Sequence, residues 1–255
     1  MSVEIPKLMT ADEAVRLIKS GDHVYIQGST SVPETLVDAM TRRGGELRGV
    51  VLHSGFSVAS REAPYCKEEY KDSFIVDTCF VSNNVRRWIA EGYGTTTPMF
   101  LGEVPSLFRD GRWPCDAVLL NCSLPDERGY VSYGVSADLA VSATECAKKV
   151  IAQINPHMPF SYGDPVIHVS EIDAAVMVDD PLVEVPTPVP GPIDTAIGKA
   201  IAEIIPDGAT LQIGVGGIPN AVLQALGGHK HLGLHTEAMT DGVLSLIEKG
   251  IIDNS

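Results

Sequence analysis

The sequence predicts an α/β fold: two related open α/β domains with largely parallel sheets, the second incomplete in this chain. Three observations carry that expectation. Segments of helical period alternate with short apolar runs of strand length. A succession of helix, strand, glycine-rich turn, proline and helix occurs twice. Between the two occurrences lies a stretch, Pro181 to Pro192, in which five of twelve residues are proline; it can continue neither a helix nor a central strand.

The elements follow in order. Thr10-Ala-Asp-Glu13 has the form of a capping box, and the helix it opens sets Ala14, Val15, Leu17 and Ile18 on one side before stopping near Ser20-Gly21. Asp22 to Gln27 is a strand, Gly28 to Pro33 a turn, and Pro33 suits the first position of a helix that runs to Arg43. Val50 to His53 and Ala117 to Asn121 are strands, Leu139 to Cys146 is a helix, and Lys149 to Ile154 and Ala174 to Val178 are strands. The proline-rich stretch is semi-extended linker. The expected organisation is therefore residues 1–180 as a first domain, 181–192 as linker and 193–255 as the start of a second. There, Asp194 to Ile205 is a helix, Ala209 to Ile213 a strand, Gly214 to Pro219 a turn and Asn220 to Leu226 a helix. Gly21, Gly28 and Pro33 thus correspond to Gly208, Gly214 or Gly216, and Pro219, with one residue of slip. So few elements cannot bury both faces of a parallel sheet, so a missing C-terminal half or a second chain is expected to complete this domain.

Composition narrows the function. The chain has 255 residues, 44% hydrophobic and 20% charged, enough to bury a core without disulfide or metal staples. A formal net charge of −14 argues against a general nucleic-acid binder. No run approaches the ~18–20 apolar residues of a membrane span, and the first residues lack the form of a signal peptide, so a cytoplasmic or organelle-internal protein is expected. The five cysteines form no C-x-x-C pair, which suits reduced structural thiols.

Two segments can carry chemistry. In Gln212-Ile-Gly-Val-Gly-Gly-Ile-Pro219, glycines let backbone N–H groups gather around an anion or a developing oxyanion. The same glycines also suit a tight strand-to-helix turn with no ligand. Pro219 stands where a dinucleotide fingerprint needs its third glycine, and no G-K-[ST] follows for a P-loop. In His235-Thr-Glu-Ala-Met-Thr-Asp-Gly242, Glu237 sits just past a short strand, Leu232 to His235, at the sheet edge where open α/β folds bind ligands. Beside the glycine-rich turn it reads as an acyl-transfer nucleophile; equally, it reads as an acid near a helix N-terminus. His229, His231 and His235 lack a metal-binding spacing, and no metal is expected.

Gly208-Ala-Thr-Leu-Gln-Ile-Gly-Val-Gly-Gly-Ile-Pro-Asn-Ala221 and His229-Lys-His-Leu-Gly-Leu-His-Thr-Glu-Ala-Met-Thr-Asp-Gly242 resemble the strand-turn-helix and catalytic segments of the acetyl-CoA hydrolase/transferase family. Asp126 to Ser136, Asn155 to Pro159, Ile167 to Asp173 and Pro98 to Pro105 resemble further family segments. Within it the resemblance is strongest to 4-hydroxybutyrate and butyrate–acetate CoA-transferases. It implies a ping-pong exchange of coenzyme A between short-chain acyl-CoA and carboxylates such as acetate, with Glu237 carrying the thioester in turn and neither metal nor ATP taking part. It further implies that Gln212, Gly214, Val215, Gly216 and Gly217 form the oxyanion and CoA-contact loop. A homo-oligomer is expected. Ser31, Asn83, Arg86 and Met158 are expected to line the acyl pocket from the first domain. An acyl-CoA hydrolase uses the same residues, and a non-catalytic CoA-binding module is the alternative of another class.

Overall fold

In the computed structural model, which describes residues 5, 7–59 and 61–255, the short apolar runs of the first 184 residues become strands of one sheet. They are β1 (His23–Ile26), β2 (Val50–Ser54), β3 (Phe74–Thr78), β4 (Gly94–Thr96), β5 (Ala117–Cys122), β7 (Lys149–Ile154) and β9 (Ala174–Met177). All pair in parallel in the order β4-β3-β2-β1-β5-β7-β9. The order of growth reverses between β1 and β5, the switch point at which open α/β sheets leave a crevice at their carboxyl ends. Every residue of β5 is buried, as a central parallel strand covered on both faces requires. A small antiparallel pair, β6 (Tyr130–Ser132) with β8 (Val166–His168), stands apart from the sheet.

The helices α1 (Ala11–Ala14), α2 (Glu34–Arg42) and α3 (Arg86–Ala90) contribute Ala14, Leu36, Met40 and Trp88 to the core on one face, with Val24, Leu52 and Val76. On the other face α4 (Val104–Arg109) and α5 (Ala140–Cys146) close over Tyr25, Val118, Leu120 and Ala152. Thr10 does cap α1 in a capping box, but α-helix gives way to a tighter 3-10 turn at Val15 and the segment ends at Leu17. Pro33 is the N-cap of α2 rather than its first residue.

A pair of histidines lies against Trp113 of the second core. His23 Nδ1 lies 2.9 Å from His53 Nε2, and His53 stacks on Trp113 at 4.5 Å between ring centroids. Burial holds the His53 ring at about 4, below its ordinary 6.5, against the opposing pull of Asp77. The unfolded chain therefore binds a proton that folded His53 refuses as pH falls from about 6.5 to about 4. The penalty is absent above that window and full below it, at about 3 kcal/mol. His53→Phe, which retains a ring against Trp113, is expected to remove that share of acid destabilisation; urea unfolding of both proteins at neutral and mildly acidic pH measures it. Burial likewise pushes the thiols of Cys66, Cys115 and Cys122 up to about 12 and that of Cys79 to about 11, so these four carry no nucleophilic thiolate near neutrality.

Val185–Ser255 forms a second compact unit. It contains α6 (Pro192–Ile204), β10 (Thr210–Leu211), α7 (Gly217–Ala225), β11 (Gly233–Leu234) and α8 (Asp241–Glu248). Pro192, expected as the end of the linker, is the first residue of α6, where its missing N–H costs nothing. The extended residues before it are fastened within this unit: Asn220 Nδ2 donates to Pro188 O at 3.3 Å and Thr187 Oγ1 to Asp241 Oδ2 at 2.9 Å.

The hydrogen bonds of the two units match. His23 pairs with Val51 and Val24 with Leu52; Thr210 pairs with Gly233 and Leu211 with Leu234. Gly21 N donates to Arg48 O at 2.9 Å and Gly208 N to Lys230 O at 3.0 Å; Val50 N donates to Ser73 O and Leu232 N to Ile251 O, both at 2.9 Å. Helices α2 and α7 both have nine residues, and each runs into a 3-10 turn ending in Gly-Gly. In this correspondence His235 matches His53, and Glu237 matches Gly55. Pro33 and Pro219, expected to correspond, do not: α7 begins at Gly217, and Pro219 is its third residue. The first four N–H groups of a helix have no partner within it, so a proline there is no barrier to starting early.

Candidate active site

The parallel pair β10–β11 sends both following segments out from one edge. Gly233 N donates to Ala209 O and His235 N to Leu211 O, each at 2.9 Å. Beyond Leu211 the chain passes through Gln212 and Ile213 into the glycine-rich turn; beyond Leu234 it passes through His235 and Thr236 to Glu237. Ile213 is buried and anchors the turn in the core of the unit. Gln212, Gly214, Val215 and Glu237 are exposed. Thr236 joins the two segments: Ile213 N donates to its Oγ1 at 3.1 Å, and that oxygen lies 2.9 Å from Ile213 O. The residue before Glu237 is thus bonded to the residue before Gly214.

Gly216 has φ +139°, a conformation that side chains other than hydrogen rarely tolerate. Gly217 is required for a different reason. The carboxylate of Asp194, which caps α6 through Gly191 N at 2.9 Å, lies so close that a Cβ on Gly217 would come within 2.8 Å of Oδ2. An acid of the protein itself therefore already sits beside the N-terminus of α7, where the partial positive charge of a helix is greatest. Gly217→Ala is expected to cost about 1 kcal/mol by displacing the Asp194 cap, and to cost less in an Asp194→Ala background; a double-mutant cycle of urea midpoints checks the coupling.

Unit 1 holds the other expected contacts along the carboxyl edge of its sheet: Ser31 follows β1, Asn83 and Arg86 follow β3, and Met158 follows β7. Ser31 and Met158 are buried, whereas Asn83 and Arg86 are exposed. Among the described residues Ser31 Oγ has no hydrogen-bond partner. Gly134, with φ +69°, lies under the Met158 thioether so closely that a Cβ would fall 2.0 Å from Sδ. Among the described residues no hydrogen bond or ion pair joins any two of these four. Also among the described residues, no cluster of three or more His, Cys, Asp or Glu could hold a metal ion, and no helix is long and apolar enough to cross a membrane.

The profile of the acetyl-CoA hydrolase/transferase N-terminal domain matches residues 4–188. The chain belongs to the acetyl-CoA hydrolase/transferase family. It is 41% identical over 249 residues to the 4-hydroxybutyrate coenzyme A transferase of Clostridium kluyveri, covering 97% of this chain and 57% of that protein. Among solved structures it is similar to a 4-hydroxybutyrate CoA-transferase from Porphyromonas gingivalis, with 37% identity, a TM-score of 0.79 and coverage of 96% of this chain and 58% of that one. It is also similar to RipA from Yersinia pestis, with 31% identity, a TM-score of 0.89 and coverage of 97% and 60%. The chain therefore spans somewhat more than half the length of these family members. The residue the sequence reading passed over is Thr236. It lies in the segment His235 to Gly242, but only the fold shows its hydroxyl ending the β10–β11 ladder.

Proposed function

We propose that this family member is a CoA-transferase that exchanges coenzyme A between short-chain acyl-CoA and carboxylates such as acetate. Glu237 is its nucleophile, and the two units are related α/β domains. The observation that carries the reading is the shared edge of β10–β11: a free carboxylate and a glycine-rich turn leave it side by side, tied through Thr236 and Ile213. The similarity to two 4-hydroxybutyrate CoA-transferases supports a C4 acyl group among the substrates.

The Glu237 carboxylate oxygen attacks the thioester carbonyl carbon, and the turn N–H groups at Gly214 to Gly217 receive the charge that develops on the carbonyl oxygen. The C–S bond breaks, CoA leaves as thiolate, and an acyl-glutamyl anhydride remains. The thiolate then attacks the glutamyl carbonyl carbon, releasing the first carboxylate and leaving a glutamyl-CoA thioester. An incoming carboxylate attacks that thioester and runs the two steps in reverse. Thioester energy is conserved throughout, so no ATP is consumed.

Exposure of Glu237 and of the turn also favours a second acceptor, water, which makes the same residues a hydrolase. Intact-mass measurement after mixing with acetyl-CoA tests the shared intermediate: a CoA adduct mapped to Glu237 is expected. Turnover accelerated by added acetate identifies the transferase; turnover indifferent to acetate identifies the hydrolase.

A further inference from the structure

We propose that Thr236 is the positioning residue of this site: its hydroxyl replaces a main-chain hydrogen bond at the end of the β10–β11 ladder and so fixes the distance between the glycine-rich turn and Glu237. The inference rests on the reading of Glu237 as nucleophile.

In a parallel ladder every second residue of one strand bonds, through its N–H and its C=O, to two residues on its neighbour. Gly233 N to Ala209 O and His235 N to Leu211 O follow that order. Continued, it would take the Ile213 N–H to the His235 carbonyl. Ile213 N instead donates to Thr236 Oγ1 at 3.1 Å. The same hydroxyl has Ile213 O at 2.9 Å and Ala238 O at 3.1 Å as acceptors for its proton. One side chain therefore serves both polar groups of Ile213 and the carbonyl on the far side of Glu237. The two chains are held apart by a side chain's width where they would otherwise zip together, and Glu237 emerges from the edge instead of pairing along it. Thr236 is half-buried, and its hydroxyl is committed to main-chain groups, so it has no proton to offer the reaction. Its β-branch restricts χ1, which makes threonine a stiffer spacer than serine.

The consequence is geometric. Attack on a thioester needs the carboxylate and the oxyanion donors on the same carbon together, and a displacement of ~1 Å can cost ~10²-fold in rate. Thr236→Val preserves the branched shape and removes all three contacts; Thr236→Ser preserves the hydroxyl. We expect Thr236→Val to lower the limiting rate of Glu237 adduct formation with acetyl-CoA by ~10²-fold, with half-saturation changed only a few-fold. Thr236→Ser is expected to stay within a few-fold of the parent chain. Exchange of the Ile213 amide should quicken in the valine variant and not in the serine variant. A normal limiting rate in Thr236→Val overturns the proposal, as does an equal loss in both variants or a loss that tracks a collapsed circular-dichroism melt. Glu237→Gln separates the two layers. If it abolishes the adduct while Thr236→Val leaves it intact, the nucleophile stands and the positioning role falls. A parent chain that forms no adduct overturns both.

Discussion

Glu237→Gln is expected to abolish the covalent CoA adduct and to lower CoA transfer by roughly 10⁴-fold or more, the scale on which loss of a covalent nucleophile is felt. Glutamine has nearly the shape of glutamate, but its amide neither attacks a thioester nor leaves as a stable carboxylate. The change should be silent in the fold. Glu237 is exposed, and the bonds that hold its loop belong to Thr236 rather than to its own side chain. Surface substitutions of this kind usually stay within ~0.5 kcal/mol, so the thermal midpoint should not move. Glu237→Asp should fall between: a carboxylate remains, but withdrawn by one methylene from the turn N–H groups. Stopped reactions read by intact mass and steady-state transfer to acetate give the two measurements. An adduct persisting in Glu237→Gln would place the nucleophile elsewhere.

The correspondence of the units sets a glycine of the first against Glu237 of the second. At the position matching Glu237, unit 1 has Gly55, and a Cβ there would lie 2.9 Å from Leu139 Cδ1. That atom belongs to the N-cap residue of α5, so any side chain at position 55 would have to displace it. The sequence suggested a repeat through paired glycines such as Gly21 and Gly208, whose φ of +82° and +77° mark turns that other residues adopt at a cost. It misaligned the prolines because Pro is equally at home at an N-cap and within the first helical turn, and only main-chain hydrogen bonds say which. The strands were legible where burial is continuous, as in β5, and overlong where a ladder is cut short, as at Leu211. No propensity scale announces that a threonine side chain will take the bond of a carbonyl. The capping of α6 by Asp194 was likewise invisible as a fact about the site. Its bearing on Gly217 depends on α6 and α7 being neighbours, which periodicity does not tell.

That neighbourhood is the second place where a large effect is expected. Gly198 is buried in α6, and a Cβ added there would lie 2.6 Å from the carbonyl carbon of Ala221, 2.8 Å from its oxygen and 2.8 Å from its Cβ. Two of the three are main-chain atoms of α7, which cannot step aside as a flexible side chain would. Gly198→Ala should therefore push the helices apart despite alanine's higher helix propensity, worth ~1 kcal/mol. Overpacking of this kind typically costs ~1–3 kcal/mol, and we expect a net loss of about 2. Gly227→Ala and Gly228→Ala are the controls. Neither position has a neighbouring atom within 4 Å of the added Cβ, and neither has the left-handed φ that would strain alanine; both should be neutral or stabilising by up to ~1 kcal/mol. Both tryptophans, Trp88 and Trp113, lie in unit 1, so circular dichroism should register the loss in Gly198→Ala more strongly than tryptophan fluorescence does. Because α7 begins at Gly217, a shift of that helix also moves the glycine-rich turn. Gly198→Ala should then slow adduct formation at Glu237 even at temperatures where the chain remains folded. If activity and stability were both unchanged, the close approach of α6 to α7 would not be a property of the protein in solution.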